Sequence, residues 1–236
     1  MTARLDSLAI DAADPDRLAA FWGGLLGWSV EDDASGAPIA RSDDGSGLPL
    51  RFPPSSASRT GLNRIHLHLT STSLDDRDAR IATALRLGGR HLDVGQLPEE
   101  THVVLADPEG NELCVIEPGN RWLAGCGLLG ELACDGTRAT GVFWSEALGW
   151  PLVWDEDGET AIRSPRGDFV MAWGGEPLNP KRGTNRLRPE LVADDLDAEA
   201  GRLEALGARR SLPLPGTDGV VLLDPDDNEL VVRAAG

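Results

Sequence analysis

The feature that most constrains the fold is an internal repeat, because the second half of the chain restates the motifs of the first. Phe21-Trp22, Leu26-Gly27-Trp28 and Asn63-Arg64 recur at one constant offset as Phe143-Trp144, Leu148-Gly149-Trp150 and Asn185-Arg186. Asp107-Pro108 with Asn111-Glu112-Leu113 returns as Asp224-Pro225 with Asn228-Glu229-Leu230. Identities that keep register over most of both halves predict two similar structural units, 1–118 and 125–236.

Each half divides again into two units with the same order of elements. Residues 4–10 alternate as a strand, and Asp14-Pro15 predicts a helix start with Asp14 as N-cap. Gly27 is placed to end this helix in a left-handed conformation. Short segments near 28–31, 38–41 and 48–52 then complete a βαβββ module before the proline- and serine-rich linker 53–58.

The same order recurs from residue 64 onward. A strand is expected at 64–69, a helix at 74–87, and three strands at 91–94, 102–106 and 113–116. The chain therefore predicts four βαβββ modules, at about 1–55, 60–118, 125–176 and 183–236.

Composition narrows the class of partner. Acidic side chains outnumber basic ones by 39 to 22, for a formal charge of −17, which disfavours nucleic acid and anionic membrane surfaces. The three cysteines, Cys114, Cys126 and Cys134, lack metal-ligand spacing and suit a reducing compartment. With no signal-peptide pattern and no apolar run of membrane-spanning length, we expect a soluble cytoplasmic protein.

The order and repetition of these motifs resemble the vicinal oxygen chelate superfamily. The motifs that carry the resemblance are the Phe-Trp helix ending Leu-Gly-Trp, the strand His66-Leu67-His68-Leu69, and the final Asp107-Pro108-Glu109-Gly110-Asn111-Glu112-Leu113. That superfamily includes glyoxalase I, bleomycin-resistance proteins and extradiol dioxygenases, and the chain is most similar to its glyoxalase-like branch. The resemblance implies an α+β fold: two tandem glyoxalase-like domains, each a cup of curved mixed sheet with helices outside.

The resemblance also implies where a divalent metal would be bound. The matching positions are Ser7, His66 and Cys114 in the first half and Leu129, Arg188 and Val231 in the second. A serine hydroxyl is a poor ligand, and hydrocarbon or guanidinium side chains cannot hold a dication. We therefore expect no metal, or an unidentified divalent ion as the only cofactor, with His66 and Glu112 as the fallback ligands.

The imidazoles are the first candidates for catalysis, since all four histidines fall between residues 60 and 118. His66 and His68 share one face of their strand and suit acid–base work near neutral pH. The alternative is that one is hydrogen-bonded into the sheet and the other is only polar lining. Glu112 is the third catalytic candidate, as a general base, although the repeated Glu229 favours a structural role for both, such as anchoring the Asp-Pro turn.

Other side chains are candidates for ligand binding. Ser7 and Asp11 on the first strand, Arg64, Cys114 and Trp28 join His66 and His68 in this set. Arg64 could hold an anionic group or order the linker, and Cys114 could be an inert buried thiol. Trp150, Trp154 and Trp173, like Trp28, lie near strands and are candidates for stacking on a planar ligand.

Three functions remain open from the sequence. The first is binding of a small organic molecule in the cup of the first half without the usual complete metal site. The second is a metal-assisted or acid–base lyase, isomerase or dioxygenase that uses His66, His68 and Glu112. The third is a structural or protein-interaction role for the second half. A homodimer is possible, and the repeat does not decide whether each cup forms within one half or by exchange of modules.

Overall fold

The computed structural model describes residues 3–57, 59–97 and 99–235, so Ser58 of the expected linker and the two chain ends lie outside the described residues. The first two modules contain β1 (Arg4–Ile10), α1 (Pro15–Leu26), β2 (Ser29–Asp32), β3 (Pro38–Arg41), β4 (Leu50–Arg51), β5 (Ile65–Leu69), α2 (Leu74–Arg86), β6 (Arg90–His91), β7 (Val103–Ala106) and β8 (Glu112–Val115). The last two contain β9 (Leu129–Cys134), α3 (Arg138–Leu148), β10 (Leu152–Glu156), β11 (Glu159–Arg163), β12 (Val170–Trp173), β13 (Leu187–Ala193), α4 (Leu196–Ala205), β14 (Arg209–Arg210), β15 (Val220–Leu223) and β16 (Glu229–Ala234). The predicted βαβββ order is confirmed four times.

The residues predicted to begin and end the first helix are confirmed in those positions. The Asp14 side chain accepts a hydrogen bond from the Arg17 backbone N–H, and Pro15 occupies the first turn. Gly27 ends the helix at φ 69°, in the left-handed region where glycine carries no Cβ penalty. The repeat holds here too, because Gly149 ends α3 at φ 67°.

The modules pair across the halves rather than within them. One eight-stranded sheet has the order β14-β15-β16-β13-β1-β4-β3-β2 and joins the first module to the fourth. The other has the order β10-β11-β12-β9-β5-β8-β7-β6 and joins the second module to the third. The α+β fold of four modules is therefore confirmed, and the open question of the sequence is answered by exchange of modules between the halves.

The two sheets share one hydrophobic cluster to which all four helices contribute. Phe21 and Trp22 of α1 and Phe143 and Trp144 of α3 are all almost fully buried in it. Each indole N–H also reaches a buried carboxylate: Trp22 Nε1 donates to Asp107 Oδ2, and Trp144 Nε1 donates to an equivalent aspartate, both at 3.3 Å. The Phe-Trp and Asp-Pro motifs therefore link neighbouring modules within each half. None of the helices in the described part of the chain combines the length and apolarity needed to cross a bilayer.

Candidate functional site

The sheet formed by the second and third modules brings side chains of both halves to one place. Alternation along β5 buries Ile65, Leu67 and Leu69 in the core and leaves His66 and His68 on the opposite face. Antiparallel pairing with β9 sets His68 opposite Glu131. The site therefore cannot be assigned to one half of the chain.

His68 is held by a carboxylate from the other half. Its Nδ1 lies 2.7 Å from Glu131 Oε2, and the second oxygen of Glu131 accepts a hydrogen bond from Trp122 Nε1 at 2.8 Å. Glu131 is 4% exposed, so this carboxylate is fully committed inside the protein. Its two contacts fix the position of the imidazole.

The pKa values of His66 and His68 are shifted in opposite directions, although the centroids of the two rings lie only 4.8 Å apart. Burial lowers the pKa of His66 to about 3, with further lowering by His68 and His102, so His66 is neutral. Burial also lowers the pKa of His68, but the neighbouring side chains of Cys114 and Glu131 raise it more, to about 10. Without a competing ligand, His68 is therefore an imidazolium paired with Glu131.

Three donor atoms converge at the floor of this site. Parallel pairing of β5 with β8 places Cys114 beside His68, and one donor atom each from His66, His68 and Cys114 lies within 4.8 Å of the others. Donor atoms of a tetrahedral zinc site lie about 3.3–3.8 Å apart, as follows from its bond lengths. Small side-chain rotations would therefore bring the three donors to that spacing.

The donor chemistry also fits a borderline-soft dication such as Zn²⁺. Imidazole and thiolate are ligands that zinc prefers. His68 Nε2 is buried and has no hydrogen-bond partner among the described residues, whereas Nδ1 is bound to Glu131. A carboxylate that binds one ring nitrogen and so orients the other toward a metal is a recurrent arrangement around metal-ligating histidines.

A cavity of about 650 Å³ lies over His66 and His68, between the second and third modules. Its aromatic lining consists of Trp122, Trp154 and Trp173, with the first two rings packed edge to face at 5.9 Å. Further lining comes from Glu99, Glu100, Thr101, His102, Ile116, Glu117, Asn120, Leu123, Glu131, Ala133, Cys134, Asp135, Glu159, Thr160, Ala172 and Gly174. This volume lies in the range typical of small-molecule sites.

Ser7 and Asp11 belong to the other sheet, so the structure does not bring them together with His66. Ser7 Oγ donates to Glu190 Oε2 at 2.9 Å, and Arg233 donates to the other oxygen of Glu190 at 2.6 Å. Asp11 Oδ1 accepts from Arg188 Nη2 at 2.6 Å. Ion pairs and hydrogen bonds thus occupy these side chains in the first-and-fourth-module sheet.

Glu190 is the counterpart of Glu131 by strand pairing. It lies opposite Ser7 across β1 and β13, as Glu131 lies opposite His68 across β5 and β9. Where Glu131 meets an imidazole beside a cavity, Glu190 meets guanidinium groups, and it is 2% exposed. The two sheets therefore use one strand position in different ways.

Glu112 lies away from the cavity lining, at the linker between the first two modules. Its carboxylate forms an ion pair with Arg59 and accepts hydrogen bonds from Asn63 Nδ2 at 2.8 Å and from the Asn63 backbone N–H at 3.3 Å. Glu229 repeats this arrangement with Lys181 at 2.7 Å and with the backbone N–H of Asn185 at 3.1 Å. These contacts favour a structural role for Glu112, through the segment between the first two modules and not through the Asp-Pro turn, and they leave Glu112 apart from His66.

Arg64 lies with Asp11 in the lining of another cavity, of about 480 Å³, apart from His66 and His68. Arg64 donates to the backbone oxygens of Asn179 and Asp226, at 2.7 and 2.8 Å, and so contacts the second half of the chain and not the linker 53–58. Trp28 packs beside Gly47, outside the cavity lining, whereas Trp154 and Trp173 line the cavity.

The sequence did not predict a functional role for two side chains at the centre of the site. Glu131 and Trp122 come from the third module and from the connection that precedes it. The available signal was a single carboxylate in the apolar strand Leu129-Gly130-Glu131-Leu132-Ala133, because a charge on a buried strand needs a partner.

Comparison with known protein families shows to which family the chain belongs. The glyoxalase-like domain family matches residues 7–116 and 131–233, which is most of the sequence. The chain belongs to the glyoxalase-like domain family. A search of curated protein sequences found no match.

Solved structures share the fold of this glyoxalase-like protein. Glyoxalase I from Zea mays aligns with a TM-score of 0.67 at 14% identity, over 98% of this chain and 92% of that one. A putative dioxygenase from Bacillus subtilis aligns with a TM-score of 0.62 at 15% identity, over 99% of this chain and 85% of that one. At these identities the likeness establishes the fold alone.

Proposed function

We propose that this protein binds a small organic molecule in the cavity between the second and third modules. The observation that carries the proposal is the cavity of about 650 Å³ with Trp122, Trp154 and Trp173 in its walls and two imidazoles at its floor. Apolar and aromatic walls with a few convergent polar groups are typical of small-molecule sites. The sequence placed this site in the first half, and the proposal now draws on both halves.

The first-and-fourth-module sheet supports the choice of this cavity. There Glu190 pairs with Arg51 and Arg233, and Arg188 pairs with Asp11, so the equivalent polar side chains are occupied by each other. Buried pairs of this kind are costly to break. We therefore propose that no second ligand binds at the equivalent position of that sheet.

A second candidate function is metal-assisted lyase, isomerase or dioxygenase chemistry, favoured by the convergence of His66, His68 and Cys114. A dication held there would act as a Lewis acid on a ligand oxygen. Glu131 would hold the Nδ1 proton of His68 and so direct Nε2 to the ion, while His66 is neutral at physiological pH and needs no deprotonation to bind. Two relatives in fold are described as glyoxalase I and as a putative dioxygenase, which is compatible with this candidate.

Binding in the cavity is tested with N-phenyl-1-naphthylamine, an uncharged dye whose fluorescence rises in apolar surroundings. Ala172 lines the cavity, and Ala172→Phe would fill part of it. Overpacking of about 1–3 kcal/mol should weaken dye binding by about tenfold or more. Ala82→Phe on the exposed face of α2 is the matched control and should bind like the wild type.

Two results would oppose the cavity proposal. The first is the absence of any fluorescence rise with the wild-type protein. The second is equal dye binding by Ala172→Phe and by the control. Circular dichroism of each variant checks that the fold is retained.

The metal candidate is tested on chelator-treated protein with Zn²⁺ or Co²⁺ alone. We expect one equivalent to bind, with a thiolate-to-cobalt charge-transfer band that disappears in Cys114→Ser. His66→Ala should also lose the ion, whereas His91→Ala, at an exposed histidine outside the cluster, should keep it. Cobalt bound without the thiolate band, or retained by both cluster variants, would refute this centre.

A further inference from the structure

The charge of the cavity lining is one-sided. Besides Glu131, the lining carries five carboxylates, on Glu99, Glu100, Glu117, Asp135 and Glu159. No lysine or arginine is found among the described residues that line it. His68 does not offset the five carboxylates, because its charge is paired with Glu131.

Among the described residues, these carboxylates have no lysine or arginine partner. Across residues 3–57, 59–97 and 99–235, none of the five forms an ion pair with lysine or arginine. Their hydrogen bonds come from uncharged groups: the Leu97 backbone N–H to Glu100 at 2.7 Å, and Asn120 Nδ2 to Glu117 at 3.1 Å. Asp135 accepts from a backbone N–H at 3.0 Å. Their negative charge is therefore available to a ligand.

In the other sheet, by contrast, carboxylates are paired with arginine. Carboxylates without a cationic partner are therefore not a general feature of this acidic chain. Buried Glu190 is neutralised by Arg51 and Arg233, and Asp11 by Arg188. Guanidinium groups thus pair with the carboxylates of that sheet, whereas the described residues that line the cavity include no arginine.

Aromatic side chains provide an independent indication. Trp122 and Trp154 meet edge to face at an interplanar angle of 88°, so their ring faces point in different directions. Trp154 remains 39% exposed although it is a large apolar side chain beside the cavity. Indole faces attract organic cations, most strongly where nearby carboxylates add to the field.

We propose that the ligand of this cavity is an organic cation, an amine or quaternary ammonium compound that carries an apolar group. The inference rests on the proposed function and specifies the chemical class of the ligand. The cationic centre would lie among the rim carboxylates and an indole face, and the apolar group would fill the space above Ala133 and Ala172. The overall charge of −17 would also steer cations toward the protein.

Three aromatic probes of similar size separate charge from shape: benzyltrimethylammonium, benzyl alcohol and benzoate. Binding is followed by tryptophan fluorescence and by amide chemical shifts in chelator-treated protein. We expect benzyltrimethylammonium to bind about tenfold or more tightly than benzoate at low salt, with the ratio falling as NaCl is raised to about 0.5 M. Amide shifts should concentrate at the cavity residues.

A triple variant tests the carboxylates directly. Glu117→Gln, Asp135→Asn and Glu159→Gln together should weaken cation binding by about tenfold and leave benzyl alcohol unchanged. The matched control combines Asp32→Asn, Glu146→Gln and Asp218→Asn, which are exposed positions outside the cavity with the same total change in charge. The control should keep wild-type affinity for the cation within about twofold, because distant exposed charges are screened.

The outcomes distinguish this inference from the proposal on which it rests. If the three probes bind in the cavity with equal affinity, or benzoate binds best, the cavity stands as a binding site and the cationic class is wrong. Equal weakening by the two triple variants would assign the preference to overall charge and would also overturn the inference. If no probe binds the wild-type protein, both proposals fail.

Discussion

His68 Nδ1 lies 2.7 Å from Glu131 Oε2, and this contact joins an imidazole from the first half of the chain to a carboxylate from the second. Together with Cys114, the pairing keeps His68 protonated, and it sets the direction in which Nε2 of His68 points. Replacement of the Glu131 carboxylate should therefore change the protonation of His68, while His66 and His68 both stay in place on β5.

We predict that Glu131→Gln lowers the pKa of His68. In the chelator-treated wild type, this pKa is raised to about 10 by Cys114 and Glu131 against the effect of burial. Removing a charge partner within hydrogen-bond distance should lower it by about 1–3 units. Proton NMR titration of the imidazole Cε1–H measures the pKa of His68. The control Glu112→Gln alters a carboxylate outside the cavity and should leave the pKa of His68 unchanged. An unchanged titration in Glu131→Gln would mean that the carboxylate does not control the ring.

Glu190→Gln should destabilise the protein without altering dye binding in the cavity. The variant leaves Arg51 and Arg233 without their carboxylate in a site where Glu190 is 2% exposed. Breaking a buried ion pair from one side costs about 3–5 kcal/mol in the free energy of unfolding. Urea unfolding measures this, with Glu146→Gln, at an exposed position, as the control. A loss below about 1 kcal/mol would contradict a structural role for Glu190.

A pH dependence should arise from Asp224. Burial raises the pKa of this carboxyl from 3.8 to about 6, against the opposing effect of its hydrogen bonds. A raised carboxyl pKa favours the folded state most below about pH 4, and this contribution is lost as the pH rises through about 6. The shift of about 2 units corresponds to about 3 kcal/mol.

Asp224→Asn removes this titration while it retains a similar shape. The difference in unfolding free energy between wild type and variant should therefore change by about 2 kcal/mol between pH 4 and pH 7, with the variant gaining relative stability as the pH rises. Guanidinium unfolding at both pH values gives the two differences. Asp218→Asn, at an exposed position, should show no such trend, and a pH-independent difference for Asp224→Asn would refute the assignment.

Residues 1–122 expressed alone should fail to form the native sheets. In the whole protein, β1 pairs with β13 and β5 pairs with β9, so the isolated half exposes two unpaired strand edges. We expect self-association by size-exclusion chromatography with light scattering, and recovery of a 1:1 complex that binds the dye when residues 123–236 are co-expressed. A monomeric, cooperatively folding half that binds the dye would show that exchange of modules is dispensable.

The module order was predictable because its signals are local. The Asp14 cap, the Gly27 stop and the repeated motifs each depend on a few neighbouring residues, and the structure confirms the elements that they delimit. The pairing of modules was not predictable, since four similar modules present similar strand edges and the repeat does not say which edges meet. Cytoplasmic location and a possible homodimer stay predictions.

The site was only partly predictable for a related reason. His66 and His68 were recognised from their shared strand face, but matching by repeat pointed to Leu129 in β9, two residues before Glu131, which is the residue that pairs with His68. Strand pairing overrides that match, and register irregularities beside His68 in one sheet and between Leu5 and Ser7 in the other shift which side chains meet. A one-residue shift moves a side chain to the other face of a strand, so repeat spacing alone cannot identify the partner.

The exchange of modules has a consequence for how the molecule comes apart. The strands of the sheet beneath the cavity all lie within one continuous stretch, 65–173. The other sheet combines strands from two separate stretches, 4–51 and 187–234. Unfolding that begins in the first or the fourth module would therefore disrupt the sheet that contains Glu190 and its arginine partners, while every strand beneath the cavity would still be in place.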